Sequence, residues 1–304
     1  MMTSIRRGLP GLLGLALLLS VTAAACAGTQ WPSAFTYSVG VSSDQTSRIQ
    51  MSAAFSGPIN ESFDAKIGGW WVTGGEDNRA FLGDAYIDYH KQDVYVAGGR
   101  KFVPFGPAGV LVSPGIAGGE VQYNSDRVAV QAITGVLAFT PVTGGTRFTF
   151  AGNRSPADDH MTAGRVAFKL TEPDAERPVV VGVNTLRLLD HTGWSGDLSA
   201  DLSKEWSLFG EGARFDDVSA HAYGVRWSDQ KLQKDPSKYT MVVLYHRNVP
   251  IGFIPATVGA TQYFENQEGW VGGIYHQLDA RYGLGLYADK DNAILTLFGN
   301  VPLK

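Results

Sequence analysis

Between Phe35 and Phe298 the sequence alternates apolar and polar residues with a period of two, run after run. "FTYSVGV" puts Phe35, Tyr37, Val39 and Val41 on one face, and "RIQMSAAF" separates Ile49, Met51, Ala53 and Phe55 from Arg48, Gln50 and Ser52. "WSGDLSADL" sets Trp194, Leu198, Ala200 and Leu202 against Ser195, Asp197, Ser199 and Asp201. Period two belongs to extended chain, whose side chains point to opposite faces in turn. The breaks are short and built of turn formers: "SGPINES", "GGEDN", "NSD", "TEPDAERP", "LDHTG", "RFDDVS", "ADKDN". Such breaks join antiparallel neighbours, because a parallel connection needs a crossover of about a dozen residues. The chain therefore reads as all-β, with about 16 strands (range 14–18) of roughly nine to twelve residues, the length a tilted strand needs to cross a bilayer.

Alternation alone does not say which face looks inward. In "GDAYIDYHKQDVYVAGGRKF" (83–102) and the two residues before it, Phe81, Gly83, Ala85, Ile87 and Tyr89 share one face, and Leu82, Asp84, Tyr86, Asp88 and His90 the other. A soluble sandwich would bury the apolar face; a membrane barrel would turn it to lipid and line a lumen with the acids. Three features favour the barrel. The meander has no long crossover of the kind Greek-key sandwiches use, and closing it removes the exposed edges. Aromatics sit near strand ends (Trp70, Trp71, Tyr123, Trp194, Trp206, Trp227, Tyr239, Trp270, Tyr287), as interfacial girdles do. The apolar face is made of modest residues rather than an interlocking set. The expectation is an up-and-down antiparallel transmembrane β-barrel, with a soluble or lipid-anchored β-protein as the alternative.

The N-terminus reads as a signal peptide over residues 1–25. Arg6 and Arg7 precede an apolar stretch, Gly8 to Val21, and "TAAACAG" supplies small residues for cleavage before Cys26 or Gly28. The apolar run is shorter than the ~20 residues of a spanning helix. Residues 26–304 are then a single barrel domain, exported to a bacterial outer membrane. Cys26 is the only cysteine, which excludes an intramolecular disulfide and leaves it either a lipidation site or a small residue at the cleavage point. Loss of Arg6 and Arg7 takes the net charge from −4 to −6, which argues against nucleic acid as a partner.

"DAYIDYHKQDVYVAGGRKFVPFGPAGVLV" resembles the strand, turn, strand and Gly/Pro loop of bacterial outer-membrane porins and related porin-like barrels. The resemblance covers about 30 residues. It implies passive diffusion of small hydrophilic solutes or ions through a barrel embedded in outer-membrane lipids, with a homo-oligomer as a candidate assembly. The family's usual constriction, a loop folded into the lumen, maps onto residues 102–119. A second Gly/Pro-rich apolar connection spans 249–267. One departure is that such barrels often end on an aromatic residue, whereas here Phe298 lies several residues before Lys304.

Catalytic chemistry has little footing. "GWSGD" lacks the final glycine of a nucleophile elbow, and the six histidines show no H-x-H or H-E-x-x-H spacing. Asp158, Asp159, Asp216 and Asp217 read as solvated turns rather than Ca²⁺ ligands. No enzyme activity, cofactor or metal is expected. By parity the lumen is lined by Arg48, Asp64, Lys66, Asp84, Asp88, Glu120, Gln122, Arg127, Gln131, Arg165, Lys169, Asp197 and Asp201, since a cation at mid-bilayer on the lipid face costs ~2–4 kcal/mol. Arg100 and Lys101 lie on opposite parities, so only one can enter a constriction. The excess of acid predicts mild cation preference. A non-channel β-rich outer-membrane lipoprotein or structural surface protein is the alternative function.

Overall fold

The computed structural model describes residues 31–42, 49–74, 77–113, 115–137, 160–172, 175–235, 237–250, 253, 267–290 and 293–303. Arg48, Cys26 and the signal segment lie outside the described residues. Sixteen strands follow in chain order: β1 (Ala34–Ser42), β2 (Ile49–Asn60), β3 (Phe63–Gly74), β4 (Asp77–Lys91), β5 (Val94–Phe102), β6 (Gly115–Asn124), β7 (Val128–Leu137), β8 (His160–Lys169), β9 (Val179–Leu188), β10 (His191–Asp201), β11 (Trp206–Phe215), β12 (Val218–Ser228), β13 (Tyr239–Val249), β14 (Gln267–Gln277), β15 (Tyr282–Ala288) and β16 (Ala293–Pro302). Each pairs antiparallel with its sequence neighbours, and β1 pairs with β16, so the sheet closes with no free edge.

Chain ends and short turns gather at one mouth, including the turns at 61–62, 125–127 and 202–205. The longer connections 103–114, 138–159 and 250–266 leave from the other. That asymmetry is typical of outer-membrane barrels. Three of the two-residue turns put a non-glycine residue at positive φ: Gln92 at 52°, Leu189 at 54° and Asp216 at 49°. Positive φ gives the turn a twist that matches its flanking strands.

The faces separate as the alternation predicts. Ile87, Val121, Val166, Val183, Leu198, Leu244, Ile274 and Leu295 stand exposed on the outer face. Trp206 and Trp227 lie opposite each other at the turn end, with Tyr123 and Tyr282 also near it, while Trp194 and Trp270 stand toward the loop end. Two aromatic girdles result. Tyr239 and Tyr287 are exceptions to the expected girdle: both point inward, Tyr287 packing against the interior apolar cluster.

Three boundaries differ from the sequence expectation. "SGPINES" is not wholly a break, because β2 runs on to Asn60 and accommodates Pro58 at an irregularity in its pairing with β3. Residues 115–119 belong to β6, which shortens the long loop to 103–114. On β4 the register jumps from Ile67↔Ala85 to Gly69↔Leu82, so one extra residue is inserted. This bulge flips the parity, and Leu82 faces outward instead of sharing a face with Asp84.

The barrel is not hollow throughout. The segment after β5 turns inward, and Val103, Phe105, Val110, Leu111 and Val112 are fully buried. They pack against inward residues of the opposite wall, among them Ile133, Met161, Leu186, Phe209, Phe215 and Val271, with Phe253 from the 250–266 connection.

Candidate functional site

The interior polar groups fall into clusters set by strand register, since residues directly opposite in an antiparallel pair share a face. One rung runs Asp64↔Asp88↔Ala97↔Glu120↔Ile133↔Ala163 around β3 to β8. It begins acidic and ends apolar, a gradient that divides the lumen into two halves.

On the β3–β4 wall, Lys66 Nζ lies 2.7 Å from Asp84 Oδ2. Asp64 and Asp88 face each other, and His90 Nδ1 lies 3.7 Å and 3.6 Å from their carboxylates. Ligand atoms of these three lie within 4.8 Å of one another, near enough to share a cation. Among the described residues, His90 alone is a basic group within ion-pair distance of either carboxylate.

On β5–β7, Lys101 turns inward and forms an ion pair with Glu120. Its Nζ also donates to Tyr95 Oη at 2.7 Å and lies over the Tyr86 ring, 5.0 Å from its centre. Gln131 and Gln122 both donate to Glu120 Oε1, at 2.6 Å and 2.5 Å. Arg100 takes the other parity, in register with Ala85 and Ala117. Only Lys101 of the two therefore reaches the polar cluster.

On β8–β11 a relay crosses four strands. Arg165 pairs with Asp197, its Nη2 donating to Oδ1 at 2.9 Å. Asn184 Nδ2 donates to Asp197 Oδ2 at 2.9 Å and to Ser195 Oγ at 2.8 Å, and Ser195 donates to Glu211 Oε1 at 2.8 Å. Glu211 in turn accepts the backbone N–H of Val110 at Oε2 (2.8 Å) and of Leu111 at Oε1 (3.0 Å). The inward loop is thus tied to the far wall. Arg247 and Asp289, both buried, pair at 2.9 Å toward the loop end.

Of the thirteen residues expected to line the lumen, Asp64, Lys66, Asp84, Asp88, Glu120, Gln122, Gln131, Arg165 and Asp197 lie within these clusters. Lys169 and Asp201 sit at the turn-end rim: Lys169 Nζ donates to the Ser125 carbonyl at 2.7 Å, and Asp201 pairs with Lys231 at 3.0 Å. Arg127 is corrected. It belongs to the turn between β6 and β7 and pairs with Glu172 of the next turn, both exposed, because strand parity does not extend into a turn. The expected set omits Tyr86, Tyr95, Asn184, Ser195, Glu211, Arg247 and Asp289, which the structure adds to the interior clusters. In "WSLFGEGARF" Glu211 shares its face with Phe209, Ala213 and Phe215, so alternation alone marks no polar face there and misses it.

No family model matches the sequence, and no curated protein does. Among solved structures the barrel is similar to Pseudomonas putida OprB in its high-pH structure, at 11% identity over 89% of this chain and 94% of that one, with a TM-score of 0.56. The chain has the porin fold. The low-pH structure of the same Pseudomonas protein gives 12% identity, 89% and 92% coverage and a TM-score of 0.54. Salmonella typhi OmpF, solved in complex with daunomycin, gives 8% identity, 90% and 98% coverage and a TM-score of 0.50. The likeness is one of fold. Within this porin fold the strand number, the closure and the polar-in, apolar-out faces agree with the expectation from sequence.

Proposed function

We propose that the protein is a diffusion channel of a bacterial outer membrane for small hydrophilic solutes or ions. One observation carries this reading. Among the described residues, the loop's apolar cluster lies against β6–β14, while inward groups along β16 and β1–β4 keep contact with solvent: Asn300, Thr296, Ser52, Lys66, Asp84, Asp64 and His90. The path would run off-centre, along this polar wall. Lys66 is matched by Asp84, whereas Asp64 and Asp88 have His90 as the one basic group within ion-pair distance among the described residues, so the path should favour cations mildly. Export through a cleaved signal over residues 1–25, and assembly as a homo-oligomer, belong to this proposal, as does the absence of catalysis.

The test is single-channel conductance of refolded protein in a planar bilayer under a salt gradient. Discrete steps with a reversal potential on the cation side are expected. Silence from protein whose gel migration shifts on heating would remove the channel reading. It would leave a second one, a closed structural barrel, which the depth of the apolar loop favours.

A further inference from the structure

Glu211 stands apart from the polar wall along which solutes would pass. Its side chain is 3% exposed, it lies on the wall opposite the root of the loop, and no Lys or Arg is among its bonded partners within the described residues. A carboxylate removed from water needs its lone pairs satisfied. Here they are met by two consecutive loop amides and one hydroxyl. Gly109, at φ +61°, precedes these amides. Its left-handed backbone belongs to the kind of turn that aims successive N–H groups at one anion. The loop also passes close to this network at Gly106, φ +70°, where a Cβ would come within 3.0 Å of Arg165 Nη1 and of Asp197 Oδ2. Arg165, Asp197, Asn184, Ser195 and Glu211 thus form one connected relay, and the loop meets it at both ends. Val103, Phe105, Leu111 and Val112 add apolar packing on the wall, and apolar packing does not fix direction.

We propose that Glu211 is the positioning residue of the channel: a latch that holds residues 103–113 across the lumen and so sets its aperture. The inference rests on the channel reading for its consequence, and on geometry alone for the latch. A carboxamide at 211 would turn an NH2 toward the Val110 amide, two donors face to face. Glu211→Gln therefore weakens the latch with almost no change in shape. Glu211→Ala removes it and takes away the carboxylate that both amides donate to.

The experiment uses the full barrel carrying Cys26→Ser and Val110→Cys, with and without Glu211→Gln. Val110 is fully buried, so the thiol introduced there should react slowly with a water-soluble maleimide. Glu211→Gln should raise the labelling rate about tenfold, the factor that one lost charge-assisted hydrogen bond supplies. Glu211→Ala should raise it further, with heat-shifted gel migration reporting an intact barrel. If the Glu211→Ala variant does not fold, Glu211→Gln decides alone. Equal labelling in folded barrels with and without Glu211→Gln would overturn the latch, whatever the conductance. Faster labelling together with larger current steps supports both readings. Faster labelling in a barrel that stays silent keeps the latch and removes the channel.

Discussion

Asp64 and Asp88 show how a single rung can trade stability for field. They are like charges directly opposite on β3 and β4, an arrangement that destabilises a strand pair. Asp64→Asn should therefore stabilise the refolded barrel slightly, by up to about 1 kcal/mol in urea unfolding. The same substitution should lower cation over anion permeability by roughly a factor of two, read from the reversal potential, because the charge faces the proposed path. Opposite signs in the two measurements are the prediction. Lys101 presents the reverse case. Its partner Glu120 has a side chain only 1% exposed, so Lys101→Met strands a buried carboxylate. The expected cost is about 3 kcal/mol in the same unfolding measurement. Gln122 and Gln131, which also donate to Glu120, should keep it below the upper end of the range for broken buried pairs.

Single strands carry their orientation plainly. Val183 on β9 stands between inward Gly182 and Asn184 and is over half exposed, so Val183→Arg should cost about 2–4 kcal/mol in bilayer-based unfolding. An arginine at inward Ala129 on β7, which shares a rung with Ala167 and Gly182, should cost less if the lumen is wet there. Equal penalties would mean that lipid and lumen are not the two environments assigned. This alternation is legible because period two is written within each strand. The interior clusters are only half legible. Arg165, Asn184 and Ser195 occupy one rung of β8, β9 and β10, and the register that aligns them follows from turn lengths and pairing. Likewise the bulge opposite Gly69 reverses parity at Gly83, one of 37 glycines and so a weak signal, and counting in twos from Asp84 misplaces Leu82. The Gly/Pro loop reads correctly as unlike a solvent loop, from its lack of charge. Its docking partner, a single glutamate about a hundred residues later, has no local signature. Excision of residues 104–112 should leave heat-shifted migration intact and increase the current step, measured beside the Glu211 variants.

The molecule as a whole is ordered along the membrane normal. Trp206 and Trp227 near the short-turn mouth and Trp194 and Trp270 toward the loop mouth mark two levels on the outer face. Brominated lipids should quench this fluorescence most when the label lies close to the headgroups and least when it lies at the acyl-chain ends. Strongest quenching from the chain ends would contradict the assigned depth. The closure between β1 and β16 sets the timing of assembly. Ala34 lies opposite Pro302, and Leu303 donates to the Ser33 carbonyl, so the ring is completed by residues from the two extremes of the barrel sequence. Such a contact is about as nonlocal as the chain allows, and nonlocal closure is slow. Synthesis delivers β1 first and β16 last, so for the whole of that interval the first strand has an unsatisfied hydrogen-bonding edge. An apolar sheet with open edges is prone to join other chains. The protein therefore needs escort from synthesis until its last strand is in place, and a chain cut short before residue 293 should accumulate as aggregate, never as a smaller barrel.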